Sequence, residues 1–441
     1  MKPTFLLSAL LAFSIVSPLP AGAMESPSEK YASPLVKQAF AHNFGTGSYS
    51  PLLTLNSPAF AETKLTAFDG GHGGEFGRAV AVQGNVAVVG APGDMAAGYG
   101  TGSAYVFEKT AGGWQLQQKL TASDATSYSF FGTSLAIDGD RIVVGAYGDQ
   151  NANNYAGAAY VFVRSGLTWI QEQKLTGSDN SSSDSFGISV AIQGETIVCG
   201  AFGDSPPGLE EVGAAYVFQR TGSGWVEKQK LVASDASSQN RFGLAVAMSD
   251  GTIVAGGDGN AELGFFSGAV YVFTFDGSHW IEQQKLHAQD ASASASFGYH
   301  VAISGDTIVA GAPHDSVGTH TLGAAYVFGR GAHGWVQQRK LVARDSDAFD
   351  GFGLRVAVSE NMIVVGNVID HERAIYAGSA YVYKRNGQSG WSLYQKVFAF
   401  DAARDDAFGC AVAASNNTAV VGAFGRADVA LYAGAAYVYE F

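Results

Sequence analysis

The chain repeats itself seven times, and that repetition restricts its fold more than any other feature. Phe-Gly pairs begin at Phe76, Phe131, Phe186, Phe242, Phe297, Phe352 and Phe408, with spacings of 55 or 56 residues. A second glycine follows 14 residues after each Phe, from Gly90 and Gly145 through to Gly422. A third opens a G-(A/S)-(A/V)-Y-V-(F/Y) run at Gly102, Gly157, Gly213, Gly268, Gly323, Gly378 and Gly434. All six tryptophans share one repeat position, and each leads into a segment of the form QKL.

Each unit reads as four short strands. The first follows Phe-Gly, the second is the I-V-V-G-A run, the third is A-Y-V-F, and the fourth runs from Trp to QKL. Tight polar turns such as Gln83-Gly84-Asn85 and Ser304-Gly305-Asp306 join the first two as hairpins. No stretch carries a 3.6-residue apolar period with caps, so helices should be nearly absent. Four-stranded sheets repeated radially make a β-propeller, and the expectation is an all-β, seven-bladed ring over residues 57–441. The chain stops after the seventh third strand, with no Trp strand following. The segment from Ala59 to Leu65 aligns with Trp114 to Leu120, so an N-terminal strand should complete the last blade. A β-solenoid, the rival architecture, needs no such exchange between termini.

Residues 1–23 read as a signal peptide: Lys2, an apolar Phe5-to-Val16 core, then Ala21-Gly22-Ala23. Residues 24–56, rich in Ser and Pro, read as a linker or a loosely docked arm. Export is therefore expected, to a secreted, periplasmic or cell-surface location. No later apolar run reaches the roughly 18 residues that span a bilayer, so no transmembrane segment is expected. A net charge of −13 argues against a nucleic-acid partner, which needs a basic surface. Two cysteines are too few for a disulfide scaffold; Cys199 and Cys410 should be separate buried thiols.

The Phe-Gly pairs and the Gly-Ala-Pro triplets at Gly90-Ala91-Pro92 and Gly311-Ala312-Pro313 resemble the FG-GAP repeat. That is the unit of the integrin α-subunit propeller and of many exported bacterial proteins. The likeness is closest to the variant whose unit includes the W…QKL strand. It implies a propeller and a binding or adhesion role. Many such repeats carry a D-x-D-x-D-G calcium loop between the two motifs. Here two strands and a turn fill that interval, so calcium does not carry over and no cofactor is expected. An RGD-type tripeptide is also absent.

In such a ring the loops joining strands 2–3 and 4–1 share one face. An Asp precedes every Phe-Gly by seven residues (Asp69, Asp124, Asp179, Asp235, Asp290, Asp345, Asp401), and its retention in all copies favours a turn-capping role over an acidic ligand ring. Asp94, Asp149, Asp204, Asp315 and Asp370 follow the second glycine by four residues, with Asn260 and Arg426 in the other copies. These are either turn caps or a polar rim for a cationic or hydroxylated ligand. Tyr155, Phe266, Tyr376 and Tyr432 stand two residues before the third glycine, as blade covers or as sugar-stacking rings. His287, His314 and His320 could gather with Asp290 and Asp315, although their spacing is irregular.

No nucleophile elbow, zinc-binding His pair, Walker loop or dinucleotide fingerprint is present. The expected function is a non-catalytic module recognising an extracellular glycan or protein through the strand 2–3 and 4–1 loops. Candidate contacts are the five rim aspartates, the four loop aromatics, His287 and His314. The alternatives are a hydrolase or lyase using a central pocket, and a purely structural envelope protein.

Overall fold

The computed structural model describes residues 60–441, apart from 96, 151–154, 318–319, 346–348 and 388–389. The signal peptide and linker expected over residues 1–56 lie outside the described residues. Among these there is no helix. Apart from a small hairpin at Ser316–Val317 and His320–Thr321, the strands form seven antiparallel four-stranded sheets. The first blade is built from Ala79–Gln83, Val86–Ala91, Ser103–Thr110 and Gly113–Leu120.

Middle strands such as Val86–Ala91 are buried along their whole length. Both faces of each blade lie against a neighbour, which is why these strands are continuously apolar instead of alternating. Seven apolar clusters result, one per seam between blades. Val88, Val106 and Leu120 of the first blade meet Phe131, Ile142, Tyr160 and Trp169 of the second. Phe131 packs edge-on to Tyr160, with ring centroids 5.4 Å apart, and the pairing recurs with Phe76–Tyr105 and Phe297–Tyr326. Burying one such side chain contributes about 1.5–3 kcal/mol.

The three repeated glycines mark the closest backbone approaches. Gly102 has φ +81°, and a Cβ there would stand 2.1 Å from the carbonyl oxygen of Phe131 in the next blade. A Cβ on Gly90 would stand 2.0 Å from the carbonyl oxygen of Gly132. The Phe131 amide donates to the Thr101 carbonyl at 3.1 Å, and a parallel bridge joins Gly102 to Phe131. Without side chains at these points the blades come near enough for direct backbone bonding.

The ring closes as the repeat phase requires. Ala61–Leu65 pairs with Ala435–Glu440, placing Leu65 opposite Ala436 just as Leu120 lies opposite Ala104. Leu65, Val420 and Val438 pack with Phe76, Val89 and Tyr105 to make the seventh seam. Phe76 likewise bridges Gly434 across it. The first strand of each blade touches those of both neighbours, and Ala411–Ser415 touches Ala79–Gln83, so these strands surround the axis.

The outermost strands explain the QKL segment residue by residue. In the first blade the leucine enters the core. Gln118 clamps the next blade, donating to the Trp169 carbonyl at 2.8 Å and accepting from its amide at 2.7 Å. Gln173 does the same to Trp225, Gln229 to Trp280 and Gln284 to Trp335. A bulge beside this position in six blades, a glutamine in five of them and Arg339 in the fifth blade, bends the edge strand, a feature that discourages edge-to-edge pairing between molecules. Both cysteines are buried and unpaired.

A chain lacking residues 60–66 should lose its single cooperative unfolding transition, because the last blade and the seventh seam lose a strand together. Urea denaturation followed by tryptophan fluorescence checks this; an unchanged midpoint would contradict the closure.

Candidate functional site: the loop face

The 2–3 loop of each blade is hydrogen-bonded to the 4–1 loop leading into the next. Amides of Tyr128, Phe130 and Phe131 donate to carbonyls of Tyr99, Gly100 and Thr101. Ser185 and Phe186 repeat this with Tyr155 and Ala156, and Glu75 and Phe76 with Tyr432 and Ala433. The two loop families therefore form one face, held by backbone bonds at every seam.

Beneath that face each blade carries a network of one tyrosine, one lysine and acidic partners. In the third blade the Tyr216 hydroxyl donates to Asp179 at 2.7 Å and to Asp204 at 2.5 Å. Lys230 donates to the same two carboxylates at 2.6 and 2.7 Å. Tyr105 and Lys119 hold Asp69 and Asp94 in this way, Tyr160 and Lys174 hold Asp124 and Asp149, and Tyr326 and Lys340 hold Asp290 and Asp315. The Asp seven residues before Phe-Gly is thus bound chiefly by a tyrosine and a lysine, whose segments lie tens of residues away in sequence.

Asp370 is held by Lys396 at 2.7 Å, the Ser379 hydroxyl at 2.9 Å and the Asn367 amide at 3.0 Å. The fourth blade puts Asn260 in the rim position and supplies Glu262 to Lys285 instead. In the seventh, Arg426 takes that position and reaches Asp401, Asp406 and Asp428. Burial works against the charge on Lys230, but the hydrogen bonds it donates to two carboxylates hold its pKa above the ordinary lysine value. Burial also opposes ionisation of Asp179, and bonds from Lys230 and Tyr216 overcome it to lower its pKa. Burial and the flanking acids raise the pKa of Tyr216 far above that of a free phenol.

The rim aspartates are thus placed one per blade inside these networks; Asp149 and Asp315 are each 2% exposed. The loop aromatics are half-buried and also one per blade. Tyr155, Phe266, Tyr376 and Tyr432 all have left-handed backbone, with φ between +52° and +57°. Phe266 lies under Arg241 at 5.1 Å, and Tyr376 meets His371 at 4.9 Å. Their immediate neighbours are more exposed. Phe265 is 63% exposed, and Tyr99, Ile375 and Leu431 occupy the corresponding tips. Met95, Leu209, Leu263 and Val429 on the 2–3 loops, and Phe68 and Phe400 on the 4–1 loops, extend this apolar exposure.

The histidines have separate neighbours. His287 Nε2 lies 3.3 Å from Glu262, and His314 Nδ1 lies 3.2 Å from the Ser296 hydroxyl. His320 sits on the small hairpin. Burial lowers the pKa of His314 to about 4. Among the described residues no group of three or more His, Cys, Asp or Glu is arranged to hold a metal.

One grouping escaped the motif reading. Residues flanking each Phe-Gly, and those just after the second glycine, differ from copy to copy. Arg78 covers the Phe424 ring at 4.7 Å, Arg355 faces Tyr299 at 5.7 Å, and Phe130 stacks on Tyr147 at 5.2 Å. Burial, reinforced by Arg355, lowers the His300 pKa to about 3. Arg241 donates to Glu211 at 2.8 Å and stands 3.8 Å from Asp258. Asp258 is 2% exposed and one of its oxygens has no hydrogen bond. Burial raises its pKa to about 6 despite Arg241. Departure from the repeat consensus at these positions is the signal that locates this group.

Fold and face together define a seven-bladed β-propeller with a constant framework and variable loops, an architecture suited to binding or adhesion. The FG-GAP repeat family model matches residues 60–107, 114–162, 169–218, 225–273, 280–328, 335–383 and 391–439, and the chain belongs to that family. No curated protein matches the sequence. Among solved structures it is similar to Sqt1 of Saccharomyces cerevisiae, with 11% identity and a TM-score of 0.47, over 86% of this chain and 99% of that one.

Replacing Lys230 by Met should destabilise the protein by about 2 kcal/mol, because a buried and a half-exposed carboxylate lose their cation. Adding Asp204→Asn should recover part of the loss in urea titrations. Asp258 gives a pH signature. Its folded pKa lies above the unfolded value, so the folded state favours the protonated acid and stability falls as pH rises from about 4 through 6. Asp258→Asn should match wild type at pH 3.5 and exceed it by up to about 3 kcal/mol above pH 7, measured as denaturation midpoints across pH.

Proposed function

We propose that this propeller is an exported, non-catalytic binding module that recognises an extracellular glycan or protein through its loop face. The observation that carries this reading is the division of labour on that face. The repeated Asp, Tyr and Lys side chains bond one another inside each blade. The loop tips above them, including Tyr99, Phe265, Ile375 and Leu431, expose apolar side chains that vary from copy to copy. Exposed apolar surface on a polar, acidic protein is characteristic of a contact surface. Ligand contact then falls to these tips and to the half-buried Tyr155, Phe266, Tyr376 and Tyr432, with the rim aspartates fixing the loops beneath them.

A glycan array probed with the full chain, with and without chelator, should show saturable binding that chelation leaves intact. A protein ligand would show instead as saturable binding to an extracellular protein fraction, equally indifferent to chelator. Replacing Tyr99, Phe265, Ile375 and Leu431 together by Ser should weaken binding at least about ten-fold, the equivalent of 1.4 kcal/mol, without lowering the melting temperature. Full binding by that variant would overturn the assignment of the loop face.

A further inference from the structure

Two arginines flank the seventh blade where its 4–1 loop enters the first strand. Arg78 stands just before Ala79–Gln83, and Arg355 lies within Phe352–Ser359, the first strands of the first and sixth blades. Both strands touch Ala411–Ser415, the first strand of the seventh. Neither arginine belongs to the repeat: the position of Arg78 holds Thr, Ile, Leu, Tyr or Cys in other copies, and that of Arg355 holds Ala, Ser or His. The seventh blade puts small side chains beside them, Ala407 before its Phe-Gly and Cys410 after it.

The two cations approach that point from opposite sides. Cys410 Sγ lies 3.5 Å from the carbonyl of Gly77, the residue before Arg78. On the other side, a Cβ at Gly366 of the sixth blade would stand 2.1 Å from the carbonyl oxygen of Gly409. Burial raises the pKa of the Cys410 thiol, and the charges of both Arg78 and Arg355 oppose that rise.

Their donors are available. Among the described residues the Arg78 guanidinium makes no hydrogen bond; it covers the Phe424 ring at 4.7 Å, and its nearest acid, Glu75, stands 4.0 Å away. Arg355 faces the Tyr299 ring at 5.7 Å and donates once, from Nη1 to the Leu354 carbonyl at 3.0 Å. Among the described residues no carboxylate pairs with it. The unbonded nitrogens of both side chains are accessible to solvent. Arg241, which also adjoins a Phe-Gly, is the contrast: Glu211 at 2.8 Å and Asp258 at 3.8 Å already neutralise it.

This chemistry selects a ligand class. A guanidinium fork matches the paired oxygens of a carboxylate or sulfate, and an aromatic ring beneath it restricts its orientation. A chain of net charge −13 repels each further negative charge on an approaching molecule, and Glu75 adds to this locally. A singly charged oxyanion is therefore favoured over a doubly charged phosphate.

We propose that Arg78 and Arg355 together bind one singly charged oxyanion, a carboxylate or a sulfate ester, carried by the ligand of the loop face. The proposal rests on the binding-module reading and specifies the charge of its ligand. The test is a saturation-transfer NMR titration of the full chain with methyl β-glucuronide and glucose 6-sulfate, and with neutral methyl β-glucoside as reference. At least one acidic probe should bind at least about ten-fold more tightly than the glucoside, and which one does so separates carboxylate from sulfate. Arg78→Gln and Arg355→Gln should each weaken that binding at least about ten-fold, the loss expected for a hydrogen bond to a charged group. Arg78→Lys and Arg355→Lys keep the charge and lose the fork, so they should retain the wild-type melting temperature and still bind more weakly than wild type. Silence from both acidic probes, equal binding of the glucoside, or undiminished binding in all four variants would overturn the site. If it fails while the loop-tip variant still loses its macromolecular ligand, the loop-face reading stands without it. If an acidic probe binds as expected but the loop-tip variant keeps its macromolecular ligand, the loop-tip assignment falls and the arginine pair remains.

Discussion

Everything else in this molecule depends on how closely neighbouring blades bring their backbones together. At each seam the amide after one blade's loop reaches a carbonyl of the previous blade, and it can do so only because glycine stands at the point of contact. A methyl at Gly102 or Gly90 would fall about 2 Å from a carbonyl oxygen. Those contacts set the spacing of the sheets, and the spacing then lets Phe131, Tyr160 and Trp169 fill the volume between them. The motif glycines are in this sense the origin of the core, and the aromatic residues occupy the gap they define.

The same geometry explains why so much of the fold was legible in the sequence. A ring of equivalent seams demands equivalent residues, so the glycines, the Trp position and the QKL segment recur in register. The phase of that register located the closing strand, and Leu65 pairs with Ala436 as the alignment requires. Hydrogen-bond partners were less legible. The Asp before each Phe-Gly is a recognisable turn residue, but its bonds to Tyr216 or Lys230 join segments tens of residues apart, and no local pattern reports them. Arg241 and Asp258 were missed for the opposite reason: they stand where the copies disagree, and a repeat alignment treats such positions as noise.

That contrast bears on function. Constant positions face constant neighbours, so their polar groups find partners inside the ring. A ligand that breaks seven-fold symmetry has to be read by residues that break it too. Phe265, Tyr99 and Leu431 at the loop tips do so. The aspartates that look most like a binding rim in sequence hold the loops in place beneath these variable groups.

The departures within the networks show what is being maintained. In the fourth blade Asn260 removes a carboxylate from the rim position, yet Glu262 brings one to Lys285 from two residues further along. In the seventh, Arg426 reverses the charge, and Asp406 and Asp428 gather around it. The position of the acid shifts while each cation keeps at least two acidic neighbours. A partly buried ion cluster of this kind adds little net stability over an apolar replacement, because desolvation offsets the attraction. Its value is geometric. Lysine from the outermost strand, tyrosine from the third strand and acids from both loops meet at one point, so the edge of each blade and the two loops above it are fixed together. Loop tips anchored in this way can differ in sequence from blade to blade without disturbing the ring that carries them.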